Sequence, residues 1–260
     1  MVFKDQIGRT IHLPAVPERI ISLVPSQTEL LADLGLRDKL VGITKFCVHP
    51  EDLRKSMKIV GGTKSIHPER IQAVNPDFIL CNKEENTAEM VAELEAIAPV
   101  WVTDMFTIND SLEMILSLGQ VLEVESKAKE IVANIRNQRD SFITFMKDKP
   151  SRKVIYMIWK NPWMAAGRNT FINELLELNK FENIITDPSS RYPEVPESFM
   201  TEADLILLST EPFPFKESHA EELRKLFNKP VQVVDGEYFS WYGSRLMKAF
   251  EYFRMLSVSK

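Results

Sequence analysis

The chain repeats its own pattern at a nearly constant offset. Pro99-Val100-Trp101-Val102-Thr103-Asp104 is echoed by Pro230-Val231-Gln232-Val233-Val234-Asp235, 131 residues later. Pro68-Glu69-Arg70-Ile71 opens a short helical segment that leads to Pro76-Asp77 and Phe78-Ile79-Leu80. Pro196-Glu197-Ser198-Phe199 opens another, leading to Ala203-Asp204 and Leu205-Ile206-Leu207, at an offset near 128. Arg19-Ile20-Ile21-Ser22-Leu23-Val24 has a counterpart in Lys153-Val154-Ile155-Tyr156-Met157-Ile158, at offset 134. Three echoes in one order at nearly one spacing point to two lobes of similar topology. A chain of 260 residues, 44% hydrophobic and 27% charged, has the length and the core material for both.

Within each lobe, short apolar runs alternate with helical patterns. Runs of four to six apolar residues fit parallel strands buried on both faces. They predict strands near 20–24, 40–44, 78–81 and 100–103, then near 154–159, 205–209 and 231–235. Helices are expected between them, such as Thr28 to Leu36 and Thr170 to Leu178. From Ser126 to Lys149 there is neither Gly nor Pro, and Ala128, Ile131, Val132, Ile135, Phe142, Phe145 and Met146 form a helical stripe. Ser126 is the expected N-cap and Pro150 the stop. At 1.5 Å per residue this helix is about 36 Å long. The expected fold is α/β, with two Rossmann-like lobes of parallel sheet joined by one long rigid backbone helix. The expected divisions are 1–125, 126–149 and 150–260.

Several function classes lose support. There is no G-x-x-x-x-G-K-[ST], G-x-G-x-x-G, G-x-S-x-G or H-E-x-x-H. Glycine is scarce, with 9 in the chain, and histidine scarcer, with 4. The net charge of −5, with no basic tract, argues against nucleic acid. No stretch approaches the ~18 apolar residues that cross a bilayer. The start, Met1-Val2-Phe3-Lys4-Asp5-Gln6, goes directly into strand-like sequence without a signal-peptide pattern. A cytoplasmic protein, or an exported one whose signal has been removed, is expected. Cys47 and Cys81 form no disulfide framework.

Open α/β sheets bind ligands beyond the carboxyl ends of their strands. The loops there hold Ser26 and Gln27, then Phe46, Cys47 and His49, then Lys83. In the second lobe they hold Trp159, Trp163, Phe213, Phe215, Phe239, Trp241 and Tyr242, with Arg191 and Arg168 as the main arginines nearby. Aromatics gathered in Pro-rich loops fit a ligand cradle, and ordinary inter-lobe packing also accounts for them. His-Pro-Glu occurs at 49–51 and 67–69, where His as cap, Pro at the first helical position and Glu at the positive end make a helix start. Cys47, His49 and Cys81, all at expected strand ends, are a legitimate soft-metal set without a known zinc spacing. Glu69 and Glu197 each follow a proline at the same place in the repeat. They read as dipole-favouring helix starts or as one exposed carboxylate per lobe for a partner's basic groups.

These residues resemble the iron-siderophore and vitamin B12 solute-binding proteins of ABC importers, which have two lobes on a backbone helix. The resemblance covers about 19–256. It rests on Arg19-Ile20-Ile21-Ser22-Leu23-Val24-Pro25-Ser26-Gln27-Thr28-Glu29-Leu30-Leu31, on Val41-Gly42-Ile43-Thr44, on Glu69-Arg70-Ile71 with Asn75-Pro76-Asp77, and on Glu197. It implies a non-catalytic protein that captures its ligand in the cleft between two lobes and presents it to a permease, with no intrinsic cofactor. It implies that Glu69 and Glu197 dock on permease arginines, and it places the protein in the cell envelope. The loop Phe46-Cys47-Val48-His49-Pro50 is similar to that of the B12-binding branch, with His49 where that branch has Tyr. A corrinoid or other tetrapyrrole is the favoured ligand, His49 a candidate axial donor to its metal, and a monomer the expected state. The alternatives are a ferric-siderophore or haem binder, a cytoplasmic metal or redox protein using Cys47, His49 and Cys81, and a protein-interaction module using the two glutamates.

Overall fold

A computed structural model describes residues 1–258. The last two positions of the expected 150–260 division lie outside the described residues. Contacts divide the chain into two units. The first comprises Met1–Met105, Asn109–Arg136 and Tyr242–Met247. The second comprises Phe106–Ile108, Asn137–Trp241 and the stretch from Lys248 onward.

In the first unit a hairpin of β1 (Val2–Lys4) and β2 (Thr10–His12) precedes β3 (Ile20–Ser22). Then come α1 (Pro25–Asp33), β4 (Leu40–Thr44), α2 (Leu53–Ser56), β5 (Lys58–Gly61), α3 (Pro68–Ala73), β6 (Phe78–Asn82), α4 (Ala88–Glu95), β7 (Val100–Thr103) and α5 (Ile108–Val121). β3 to β7 form one parallel sheet in the order β5-β4-β3-β6-β7. The chain winds outward from β3 to β5, then returns to lay β6 on the other side of β3. The crevice where the winding reverses therefore lies at the carboxyl ends of β3 and β6. Ile21, Leu23, Ile79, Cys81, Val100 and Val102 pack from the sheet into a core with Val60, Ile71 and Leu94.

α6 (Glu125–Met146) leads to β8 (Arg152–Trp159), β9 (Met164–Ala165), α7 (Phe171–Leu178) and β10 (Phe181–Asn183). β11 (Leu205–Ser209), α8 (Glu217–Phe227), β12 (Val231–Val234), α9 (Gly236–Ser240) and α10 (Leu246–Val258) follow. The second sheet runs β10-β8-β11-β12 in parallel, with β9 folded back antiparallel on β8. Its winding reverses between β8 and β11. Ile155, Met157, Ile206, Leu208 and Val231 pack with Met200, Phe215 and Leu223.

The repeat read from the sequence is present at the level of single hydrogen bonds. The Asp77 carboxylate accepts the Glu18 and Arg19 amides at 2.9 Å, and the Asp77 amide donates to the Arg19 carbonyl at 3.0 Å. The Asp204 carboxylate accepts the Lys153 amide at 3.1 Å, and its amide donates to the Lys153 carbonyl at 2.9 Å. One register later, Ile79 donates to Pro99 at 2.9 Å and Ile206 to Pro230 at 3.0 Å. Each Asp thus ties the entry of the first strand to the strand beside it.

Helix limits differ from the sequence expectation for local reasons. α1 starts at Pro25, not Thr28, because proline suits the first helical position. It ends before Leu36 because Gly35 takes φ +82° just past its last turn. Ser126 lies inside α6 rather than capping it. α6 ends at Met146, not Lys149: the Lys147 and Lys149 amides donate three residues back, to Thr144 and Met146, as the chain tightens into turns before Pro150. Thr170 caps α7 by accepting the Asn173 amide at 3.1 Å. β1 falls in the strand-like start; strands β2, β5, β9 and β10 were not expected, being short or partly polar.

One charged pair is enclosed in the first unit. Arg245, just before α10, donates from Nε to Glu29 Oε2 at 2.8 Å and from Nη2 to Oε1 at 3.0 Å. Both side chains are 7% exposed. A bidentate pair so placed satisfies both ions, and losing one strands the other. Arg245→Met should lower unfolding free energy by about 3–5 kcal/mol in urea titrations. Glu29→Met/Arg245→Met together should cost less than that single change. A double variant less stable than Arg245→Met would contradict the pairing argument.

Candidate ligand-binding faces

In the first unit the strand ends combine one open aromatic with a buried polar layer. Past β4, Phe46 is 49% exposed, and the Lys45 ammonium lies 5.0 Å from its ring centroid. His49 is partly exposed in the same loop. Lys83, after β6, pairs with Asp104 at 2.8 Å and keeps its side chain mostly in solvent.

Below them the polar groups are occupied by one another. Gln27 is fully buried; its Nε2 donates to Thr103 Oγ1 at 2.6 Å and to the Tyr242 hydroxyl at 3.2 Å. Gln27 Oε1 is buried without a hydrogen-bond partner. Asn82 Nδ2 donates to Thr103 Oγ1 at 3.0 Å, and the Asn82 amide donates to Asn86 Oδ1 at 2.8 Å. Burial first, and then the charge of Glu85, push the Tyr242 hydroxyl well above the usual tyrosine range. Glu85 is half-buried, and burial and then the neighbouring Glu84 charge push its carboxyl up. Ser26, Gln27 and Tyr242, expected to line the ligand, are thus buried supports of the loop.

The cysteines do not converge with His49. Cys47 is buried between the Thr28 hydroxyl at 3.1 Å and the Thr44 hydroxyl at 3.2 Å. Cys81 belongs to the apolar core of the sheet. Burial pushes the Cys81 thiol up to about 12 and raises that of Cys47 as well. Among the described residues, no three His, Cys, Asp or Glu side chains form a metal-holding group. The soft-metal set expected from the strand ends is therefore corrected: strand position alone does not say which way each thiol faces.

In the second unit the aromatics assemble where the winding reverses. β8 ends at Trp159, which is 39% exposed and meets Phe213 edge-on at 5.6 Å. Trp163, before β9, stacks on Phe215 at 6.1 Å with 3° between the planes. Phe213 and Phe215 lie 4.6 Å apart in the loop after β11. His219 meets both rings edge-on at 5.7 and 5.6 Å, and its Nδ1 accepts the Lys216 amide at 3.0 Å at the start of α8. Lys160 lies 5.4 Å from the Trp163 ring and pairs with Glu222 at 3.0 Å. Arg191 lies 4.1 Å over the Phe106 ring, and Phe106 is 39% exposed. Arg168 is exposed.

Other expected wall residues are core. Phe239 is fully buried against Tyr156 at 5.2 Å and Phe253 at 4.8 Å. Phe215 is 3% exposed and belongs to the core cluster, so it backs the shelf rather than facing outward. Trp241 is 7% exposed. The reason is common to all three: a strand-end loop must also close the core beneath it.

Glu69 is 71% exposed by side chain in the first turn of α3, after Pro68. Glu197 is exposed at the start of a 3₁₀ turn (Glu197–Thr201), after Pro196. The first His-Pro-Glu does not start a helix, since α2 begins at Leu53; the second does, though His67 makes no side-chain cap. Sequence reasoning passed over Lys45, Lys160 and His219. Lysines directly following a strand were the available signal for the first two.

Comparison with known proteins places the chain in a family. A family model described as periplasmic binding protein matches residues 20–231. An ABC transporter substrate-binding lipoprotein of Bacillus subtilis, YvrC, is 25% identical over 191 residues, 70% of this chain and 60% of that protein. The vitamin B12-binding protein of Yersinia pestis is 28% identical over 187 residues, 71% of this chain and 66% of that protein. The chain thus spans less than two thirds of the length of these two relatives. A periplasmic heme binding protein from Pseudomonas aeruginosa has the same fold, with a TM-score of 0.79 at 21% identity over 94% of each chain.

The thiol placements make a direct prediction. Cys47 and Cys81 should resist iodoacetamide at pH 8 in the native protein and react fully in urea, read by intact mass. Rapid native labelling of either would contradict the burial described.

Proposed function

The chain belongs to the periplasmic binding protein family, and we propose that it captures a corrinoid or another flat metal chelate for an ABC importer, without chemistry of its own. The observation that carries this reading is the aromatic shelf of Trp159, Trp163 and Phe213 at the winding reversal of the second sheet. A flat macrocycle gains from ring faces at a largely pre-formed surface, with few costs of ordering. The occupied polar layer around Gln27 and Asn82 supports it, since that layer holds the first unit's loops in place before any ligand arrives. The vitamin B12 and heme binding of the named relatives supports the ligand class.

The partner proposed is the permease of such an importer, engaged through Glu69 and Glu197. Both are exposed, and each stands in the first turn of a short helical element after a proline. Acidic groups so presented fix register and speed encounter with basic groups. The location proposed is the cell envelope, and the working form a monomer.

The test is a titration with cyanocobalamin, hemin and a panel of ferric siderophores, read by absorbance and by thermal unfolding. One of these should shift the ligand spectrum and raise Tm, because a ligand that binds only the native state stabilises it. The charge-reversed Glu69→Lys/Glu197→Lys variant should bind that ligand as wild type does. With hemin, His49→Ala distinguishes axial ligation, which alters the bound spectrum, from mere proximity. No spectral shift and no change in Tm with any compound would refute the reading.

A further inference from the structure

Lys45 and Phe46 form a composite surface on a glycine floor. The Lys45 amide donates to the Gly61 carbonyl at 2.9 Å, and the Phe46 amide donates to Thr44 Oγ1 at 3.2 Å. Gly62 lies directly beneath: a Cβ there would sit 3.2 Å from Phe46 Cε2 and 3.6 Å from Lys45 Cε. The floor is itself fixed. Gly61 bridges Ile66, and the Gly62 amide donates to the Ser65 carbonyl at 2.6 Å. A Cβ at Gly61 would fall 2.5 Å from the Ser65 carbonyl oxygen, so the turn demands glycine. Lys64 fastens the turn by donating to the Glu84 carbonyl.

The charge on this surface is uncompensated. Lys83 is paired with Asp104 and Lys160 with Glu222. Among the described residues Lys45 has no carboxylate partner, and its ammonium lies over the Phe46 ring. A ring face attracts the ammonium without cancelling its charge. The result is a half-exposed aromatic ring with a positive charge held over it, 5.0 Å from its centroid.

We propose that Lys45 is the charge-selecting residue of this face, receiving a carboxylate on the rim of a flat ligand that lies on Phe46, and that Gly62 is the positioning residue for both side chains. The inference rests on the chelate-binding reading above. It adds that, among flat chelates, those with a free rim carboxylate bind better than their neutral counterparts. The selection comes from one exposed ion pair, so it is modest and salt-sensitive.

The experiment compares hemin with hemin dimethyl ester, and a cobalamin monocarboxylic acid with cyanocobalamin, by titration at low salt. Wild type should prefer the free acid of a pair it binds by about five-fold, the scale of an exposed ion pair. Lys45→Met should abolish the preference while Lys45→Arg keeps it, and 1 M NaCl should shrink it in wild type. Gly62→Ala should weaken binding of both members about three-fold, with unchanged Tm showing that the fold persists. Equal binding of acid and neutral form by wild type, or a preference that survives Lys45→Met, would overturn the proposal and leave the chelate reading standing. Binding of neither pair would overturn this proposal, and binding of no compound in the whole titration panel would overturn both.

Discussion

Parallel strands buried on both faces leave almost no room for polar chemistry along their length. In β6, β7 and β11 every residue is buried, and the side chains between strand ends serve packing. Polar and open aromatic groups are displaced to the carboxyl ends. The order in which strands are added then decides which of those ends face a crevice. Both sheets start with a central strand, β3 or β8, and return to its other side with β6 or β11. Asp77 and Asp204 hold that return in register by the same hydrogen bonds. Everything proposed about binding depends on this repeated topology.

The units then use their strand ends differently. The second concentrates rings: Trp163 and Phe213 pack on Phe215, which is itself core, and Trp159 meets Phe213 edge-on. The first concentrates amides and hydroxyls, which satisfy one another around Thr103, and leaves Phe46 and Lys45 outside. A buried polar network stiffens the loops it joins only when nearly every member is paired. The exception, Gln27 Oε1, is a single acceptor within an otherwise occupied cluster.

Most of the fold was legible because it is periodic. The apolar runs at 40–44, 100–103 and 205–209 coincide with β4, β7 and β11, and the repeat offsets anticipated which strands correspond. β5, β9 and β10 lack a continuous apolar run, since β5 and β10 carry charged residues and β9 has two residues, and so they are not marked. The site was legible only as a set of loops. Sequence places Phe213, Phe215 and Phe239 alike after strands, yet Phe239 fills the core beneath Tyr156 while Phe213 stays partly open. Cys47 and Cys81 failed as a metal set for the same reason. Facing direction is decided by packing against neighbours distant in sequence, and the chain does not write that out locally.

The function proposed above requires a flat chelate to bind at the carboxyl ends of parallel strands. Hydrogen–deuterium exchange, with and without a saturating ligand from the titration panel, reads this directly. Amides at 44–49 and 82–86 in the first unit, or at 159–163 and 210–215 in the second, should be slowed by ligand. Amides at the opposite strand ends, such as those of Arg152 and Phe181, should not change. Protection confined to those opposite ends, or to one helix surface away from all strand-end loops, would contradict the account.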